Sequence, residues 1–339
     1  MTPPVPNEQP TVVVPCLNEQ ATVGELLMRL RDVLPGARII CVDDGSTDRT
    51  GERIAAAAPW ATLLAHSRPQ GKGAAIRTAL DSLRLDETGL IAIQDADLEY
   101  DPADLPMLIE RASIPGSDRQ SSLAVFGSRF AETGRSAVAG TGRPAVDCGV
   151  RTLDRLIGRL GGETIVDHAC CYKVLPIPIL RSLEVRATGF EWCGEVTMKL
   201  LRLARAINRR SAKAEWANAE SVTGPVRPGS PVAAPMPRSR PVGDVRAIRQ
   251  HVVGYRPRTR AAGKKLRLSD GVAVATTILK ASAWTPSEAA LATAIDLLRP
   301  SSIAGADRPV AAGRGLEPTR SSDHPRHRPR PSTSLGRAD

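Results

Sequence analysis

The chain has 339 residues, 42% apolar but only 3% aromatic, with a net charge of +10. That length holds one large domain with extensions, and the core must be built from Val, Leu, Ile and Ala. Six cysteines with no C-x-x-C pair exclude a zinc finger or ribbon, and the absence of any apolar run of about 18 residues excludes a spanning helix.

The polar start MTPPVPNEQP has no positive-plus-apolar leader. With free thiols, this predicts a cytoplasmic protein. The charge is uneven. Residues 1–200 hold 21 Lys+Arg against 26 Asp+Glu, a balance of −5; the rest hold 25 against 10, a balance of +15. A basic second half suits a polyanionic partner, either nucleic acid or an anionic membrane face.

Strand and helix signals alternate from the N-terminus. Thr11–Cys16 is a β-branched run and Ala21–Val33 has helical periodicity. Arg38–Val42 predicts a second strand, Asp48–Ala58 a helix, Ala61–Ala65 a third strand and Lys72–Leu85 a helix. Leu90–Ile93, Pro102–Arg111 and Leu123–Phe126 predict strand, helix and strand. Short apolar runs without alternation predict strands buried on both faces, and their alternation with helices predicts an α/β, doubly wound, mostly parallel sheet. Residues 131–146 are Gly/Ala/Thr/Arg-rich and predict a loop. Beyond it Asp147–Leu160 predicts a helix, Cys170–Leu175 a strand, Phe190–Leu203 a helix, Arg246–Gly254 a strand and Ser269–Trp284 a helix. The predicted organisation is a disordered N-terminus over 1–10, a domain over 11–207 and 246–284, a Pro-rich disordered insertion over 208–245, and a Pro/Arg-rich, mostly disordered tail over 285–339.

Ligands of such sheets bind outside the carboxyl ends of the strands. There the first strand delivers Asn18 and Glu19, the second Asp43 and Asp44, the fourth Asp95, Asp97 and Glu99. So many carboxylates in one crevice call for a counter-charge. An all-oxygen donor set selects a hard divalent ion, Mg²⁺ or Mn²⁺, which also recruits substrate phosphates. Asp97 is the first expected ligand and Glu99 the second. Asp48 and Asp101 read as turn or cap residues. Gly71-Lys72-Gly73 opens a helix and faces either a phosphate or packing.

The runs VVVPCLNE, CVDDGSTD, GKGAAIRTAL, QDADLEYDPADLP and FGSRF resemble the family 2 glycosyltransferases, in the branch of dolichol-phosphate mannosyltransferases and bacterial polyprenyl-phosphate glycosyltransferases. Asp167 to Lys173, Gly189 to Glu195 and Tyr255 to Lys265 continue the pattern in order. The resemblance implies a GT-A-like nucleotide-sugar fold and an inverting, metal-dependent transfer of a hexose, mannose or glucose, to polyprenyl phosphate. It implies a nucleoside pocket at Pro15, Leu17 and Glu19, with base contacts from Val42 and Asp44. Asp95, Ala96 and Asp97 fall at the donor and metal site, and Arg129 at a phosphate. Arg258 and Lys265 would close over the diphosphate. Asp95, Asp97 and Arg129 carry the chemistry in this reading. The basic second half places the enzyme peripherally at the inner face of the membrane, and the Arg-rich tail, with no interleaved aromatics or reading module, predicts no nucleic-acid partner.

A phosphate acceptor is already a nucleophile, whereas a hydroxyl acceptor needs a base. Asp167 is a candidate base; Lys173, Arg143 and Arg151 favour an anionic acceptor. Departures from the pattern, Ala169 and Ala262 at positions expected to be acidic, concentrate on the acceptor side. The alternatives are a transferase with a soluble hydroxyl acceptor and a degenerate donor-binding homologue. A nucleotidyltransferase would need a Gly-rich loop where Pro15-Cys-Leu-Asn-Glu stands.

Overall fold

The computed structural model of the chain describes residues 9–113, 121–130, 144–222, 245–258 and 268–298. The expectations for residues 1–8, 131–143, 223–244, 259–267 and 299–339 lie outside the described residues.

Seven described strands form one sheet: β1 (Thr11–Cys16), β2 (Arg38–Asp43), β3 (Thr62–Ala65), β4 (Leu90–Ile93), β5 (Ser122–Ser128), β6 (Lys173–Pro176) and β7 (Arg246–Val252). Their order is β3-β2-β1-β4-β6-β5-β7. Every pairing is parallel except those of β6, which runs antiparallel to both β4 and β5. The helices are α1 (Val23–Val33), α2 (Thr50–Ala57), α3 (Lys72–Asp81), α4 (Leu105–Ser113), α5 (Pro144–Gly161), α6 (Ile177–Ser182), α7 (Trp192–Val222), α8 (Leu268–Ser282) and α9 (Glu288–Leu298). No described helix is long and apolar enough to cross a membrane.

Because side chains alternate along a strand, β1 feeds two cores. Val13 joins Ile40, Ile93, Phe126 and the residues of α7 on one face. Val12 and Val14 join Cys41, Ala92 and Val125 against Leu26, Leu27 and Leu30 of α1 on the other. This is why the central strands read as unbroken apolar runs. β3 is the exception to burial on both faces: it is an edge strand, and its Leu63 is exposed.

Three expectations are corrected. α6, Ile177–Ser182, follows β6 directly where the sequence predicts no element; Pro176 precedes the helix and Pro178 falls in its first turn. α7 continues to Val222, so 208–222 is helical rather than part of a disordered insertion. The stretch RRSAKAEWANAE is rich in Ala, Lys, Glu and Arg and contains no Gly or Pro; only the composition beyond it is Pro-rich. The expected tail likewise begins with α9. Ser287 accepts the Ala290 N–H at 3.2 Å at its start, and Ala290, Leu291 and Ala294 are buried where the helix packs on α6 and α7. Leu291→Ala is expected to destabilise the fold by about 2 kcal/mol, read from urea unfolding; an undocked segment would show no change.

Candidate active site

Register places the carboxyl ends of β1, β2 and β4 side by side: Cys16 pairs with Asp43, and Val13 with Ile93. Residues just past these ends line a cavity of about 510 Å³. Pro15, Leu17, Glu19, Asp44, Asp95, Ala96, Asp97, Glu99, Arg129 and Arg258 all line it. Val42 does not. It is fully buried beside Val13 and Ile40, because its parity along β2 turns it to the core, so its expected base contact is withdrawn. Lys265 lies outside the described residues.

Asp44 shapes the floor rather than offering a free carboxylate. It is 3% exposed. Its Oδ1 accepts the Gln70 N–H at 2.8 Å and meets His66 Nδ1 at 2.7 Å, while Oδ2 accepts the Gly71 N–H at 2.7 Å. The His66 Nε2 lies 2.8 Å from Thr78 Oγ1. Gly71 is required here: its φ is +103°, and a Cβ would come within 2.4 Å of the Thr188 carbonyl oxygen. The turn so fixed starts α3 and points Lys72 at Asp95, Nζ to Oδ1 at 2.6 Å. Burial alone would weaken the Lys72 charge, but Asp95 more than offsets it and holds the ammonium above its ordinary range.

Asp97 is held differently. Its Oδ1 accepts the Glu99 N–H at 3.1 Å and its Oδ2 accepts from Arg258 Nη2 at 3.1 Å. Burial, reinforced by Asp95 and Glu99, pushes its carboxyl from 3.8 up to about 7, against the pull of Arg258. Arg258 also forms a fork with Glu19, at 2.8 and 3.0 Å. Glu99 is 7% exposed. Its Oε1 accepts the Arg258 backbone N–H at 2.7 Å and its Oε2 the Tyr255 hydroxyl at 3.1 Å. It therefore ties the segment after β7 to the site, a bracing role that the expectation of a second metal ligand overlooked.

Arg129 and Asp167 make a buried pair, 6% and 0% exposed. The Arg129 Nε, Nη2 and backbone N–H reach the carboxylate at 2.8, 2.7 and 2.9 Å. Burial works against the Asp167 charge, but Arg129 overcomes it and holds the carboxyl below its ordinary 3.8. Asp167 is fully engaged and closed to solvent, so its candidacy as a base falls. Lys173 is also corrected. It is fully buried, donates to the His168 and Cys170 carbonyls at 3.0 and 2.5 Å, and sits 4.6 Å above the Phe126 ring. Arg151 lies over the Phe130 ring at 5.0 Å, and Arg143 lies outside the described residues. Asp48 and Asp101 are turn residues as read, accepting the Thr50 and Ala103 N–H groups.

The opposite wall of the cavity is apolar, formed by Val150 and Leu153 of α5, Phe190, and Val274 of α8. Sequence reasoning also missed a hydrogen-bonded pair, Asp154 and His168, whose histidine lines the same cavity. Only its spacing across a helix and a loop, invisible to local motifs, brings the two together.

A single-sheet α/β fold with a carboxylate-lined crevice past β1, β2 and β4 belongs to the GT-A-like glycosyltransferase folds. Glucosyl-3-phosphoglycerate synthase from Mycobacterium tuberculosis shares it, with a TM-score of 0.51 over 83% of this chain and 82% of that one at 19% identity. Residues 11–136 match the family model described as glycosyl transferase family 2. It is similar to an undecaprenyl-phosphate 4-deoxy-4-formamido-L-arabinose transferase of Pseudomonas paraeruginosa, 32% identical over 55% of this chain and 57% of that protein. A dodecaprenyl-phosphate galacturonate synthase of Rhizobium johnstonii is 26% identical over 54% and 52%. The chain thus spans little more than half the length of either relative.

Proposed function

We propose that the chain transfers a sugar, with inversion, from a nucleotide-sugar donor to a polyprenyl phosphate. The observation that carries this reading is the two-sided cavity. One wall gathers Asp95, Asp97, Lys72 and Arg258, suited to a diphosphate and its cation; the other is the apolar surface of α5 and α8, suited to the first units of a prenyl chain. The names of both relatives specify polyprenyl-phosphate acceptors.

The residues fit a divalent cation, Mg²⁺ or Mn²⁺. Their donors are carboxylate oxygens, and burial, with Asp95 and Glu99 adding to it, pushes Asp97 up to about 7. No cluster of three or more ligating side chains occurs among the described residues. Asp97, with Asp95 beside it, would hold the ion together with the donor phosphates. When bound, the ion would neutralise charge on the departing nucleoside diphosphate. The M. tuberculosis enzyme forms a complex with Mn²⁺ and UDP-glucose.

Glu19 and Pro15 receive the nucleoside in this reading. Lys72 and Arg258 stabilise the diphosphate as it gathers charge, and the Arg129–Asp167 pair fixes the end of β5. Mannose and glucose are the proposed sugars. The protein would act at a membrane surface, with the basic residues of its second half facing the anionic leaflet.

The test offers radiolabelled GDP-mannose, UDP-glucose or UDP-galacturonate to the full chain with geranyl phosphate or undecaprenyl phosphate and Mg²⁺ or Mn²⁺. Label is expected in the organic phase, and EDTA is expected to abolish it. Label recovered only in water-soluble product would replace the lipid acceptor with a hydroxyl compound. Donor binding without any product would leave a degenerate homologue.

A further inference from the structure

The pair formed by Asp154 and His168 is built for proton transfer. Asp154, on α5, is 3% exposed. Its Oδ1 lies 2.6 Å from His168 Nδ1 and accepts the His168 backbone N–H at 2.9 Å. One carboxylate oxygen thus anchors both the ring and the backbone that carries it. A carboxylate at Nδ1 requires a proton there, so the neutral ring presents Nε2 as a bare acceptor. Nε2 has no partner among the described residues, and His168, 2% exposed, lines the cavity. Asp154 Oδ2 is buried without a hydrogen bond among the described residues, a costly state for a carboxylate. A proton taken by the ring would set a positive charge against it. A histidine serving only the core has both nitrogens satisfied; this one has a single satisfied nitrogen, and the other opens to the site.

We propose that His168 is the proton acceptor for the incoming acceptor group, with Asp154 as its positioning residue. The proposal rests on the glycosyl-transfer reading of this cavity. The group it takes is an acceptor oxygen that still bears a proton, either a phosphate monoester in its monoanionic form or a hydroxyl. That oxygen bonds to the anomeric carbon, the bond from that carbon to the diphosphate breaks with its electron pair, and the acceptor's proton passes to Nε2. It leaves to water when product departs. The charged groups around the ring are Asp154 from α5, Asp167 one residue before it with Arg129 bound, and Lys173, whose Nζ donates to the His168 carbonyl.

The test uses the full chain with UDP and Mg²⁺, ¹³C- and ¹⁵N-labelled at histidine, with the His168 resonances assigned by their loss in His168→Gln. Addition of geranyl phosphate, or separately of glycerol, is expected to move the Nε2 signal. Asp154→Asn is expected to alter the tautomer signature and slow transfer about tenfold, a response that a merely structural role would not give. His168→Gln is expected to keep UDP affinity within about twofold and to lower transfer about 10²-fold. With a phosphate acceptor that deficit appears near about pH 6, where the monoester still holds part of its second proton, and closes by about pH 8. With a hydroxyl acceptor it persists at about pH 8. An Nε2 signal indifferent to both acceptors, or a variant as fast as the parent throughout, would overturn the assignment. A shifted signal in a protein that transfers to neither acceptor supports the His168 contact and overturns the transferase reading alone.

Discussion

Replacing Asp97 by Asn is expected to cut sugar transfer by about 10³-fold while leaving the fold at least as stable as before. Both halves follow from one geometry. Burial, reinforced by Asp95 and Glu99, pushes the Asp97 carboxyl from 3.8 to about 7, with Arg258 and the Glu99 N–H opposing. A group whose pKa is raised by folding contributes stability that is complete below its unfolded value and is lost as pH rises through the folded one. Between about pH 4 and pH 7, therefore, Asp97 progressively destabilises the metal-free protein. Asn cannot ionise and removes that slope. It also removes the charge that would draw a divalent ion to the donor phosphates. Thermal unfolding at pH 8 with and without Mn²⁺ separates the two effects: the parent should gain stability from the ion, and the variant should start higher and gain little. Transfer within tenfold of the parent would move the ion's anchor elsewhere.

Asp167→Asn is expected to cost about 3–5 kcal/mol of stability, the largest structural effect foreseen. The Arg129 guanidinium it leaves behind is 6% exposed and has lost both side-chain bonds to a carboxylate. The pH dependence has the opposite sign to that of Asp97. Arg129 holds the Asp167 carboxyl below its ordinary 3.8 despite burial. Its contribution is complete above that value and disappears as pH falls through the lower folded pKa. Urea unfolding should show a wide gap between parent and variant at pH 7 that narrows below about pH 4. A paired apolar replacement, Arg129→Met with Asp167→Leu, should recover part of the loss, because neither partner then leaves an uncompensated charge. A loss below about 1 kcal/mol for Asp167→Asn, as for an exposed pair, would show that the end of β5 is anchored by something else.

The donor half of the site was legible because its residues follow strands whose β-branched runs stand out, and strand ends are where such sheets bind. Pro15, Glu19, Asp44, Asp95 and Asp97 all reached one cavity for that reason. What sequence could not supply was parity and pairing. Val42 and Asp44 are two residues apart, yet Val42 belongs to β2 and is turned to the core, whereas Asp44 has left the strand. Asp167 looked like a base and Lys173 like an acceptor cation because both are charged near the expected site; each is fully buried with its own partners. The antiparallel course of β6 was hidden too, since four residues carry no sign of direction. Helical residues 208–222 were lost to composition averaging, in which Pro-rich neighbours outweighed a locally helix-forming run.

The strand order has a kinetic consequence. β4 and β5 are consecutive in the chain but not neighbours in the sheet, because β6, made some 50 residues after β5 begins, lies between them. During synthesis the β1–β4 half has its neighbours as soon as it emerges, while β5 has none until β6 and β7 arrive. Pairings of such long sequence separation are slow to form. Glu19 and Asp97 belong to the early half, and Arg258, which joins them, lies beyond β7. Competence to bind nucleotide should therefore appear only with the final folding phase, so fluorescence of a nucleotide analogue would report completion of the sheet where a helical signal has already levelled off.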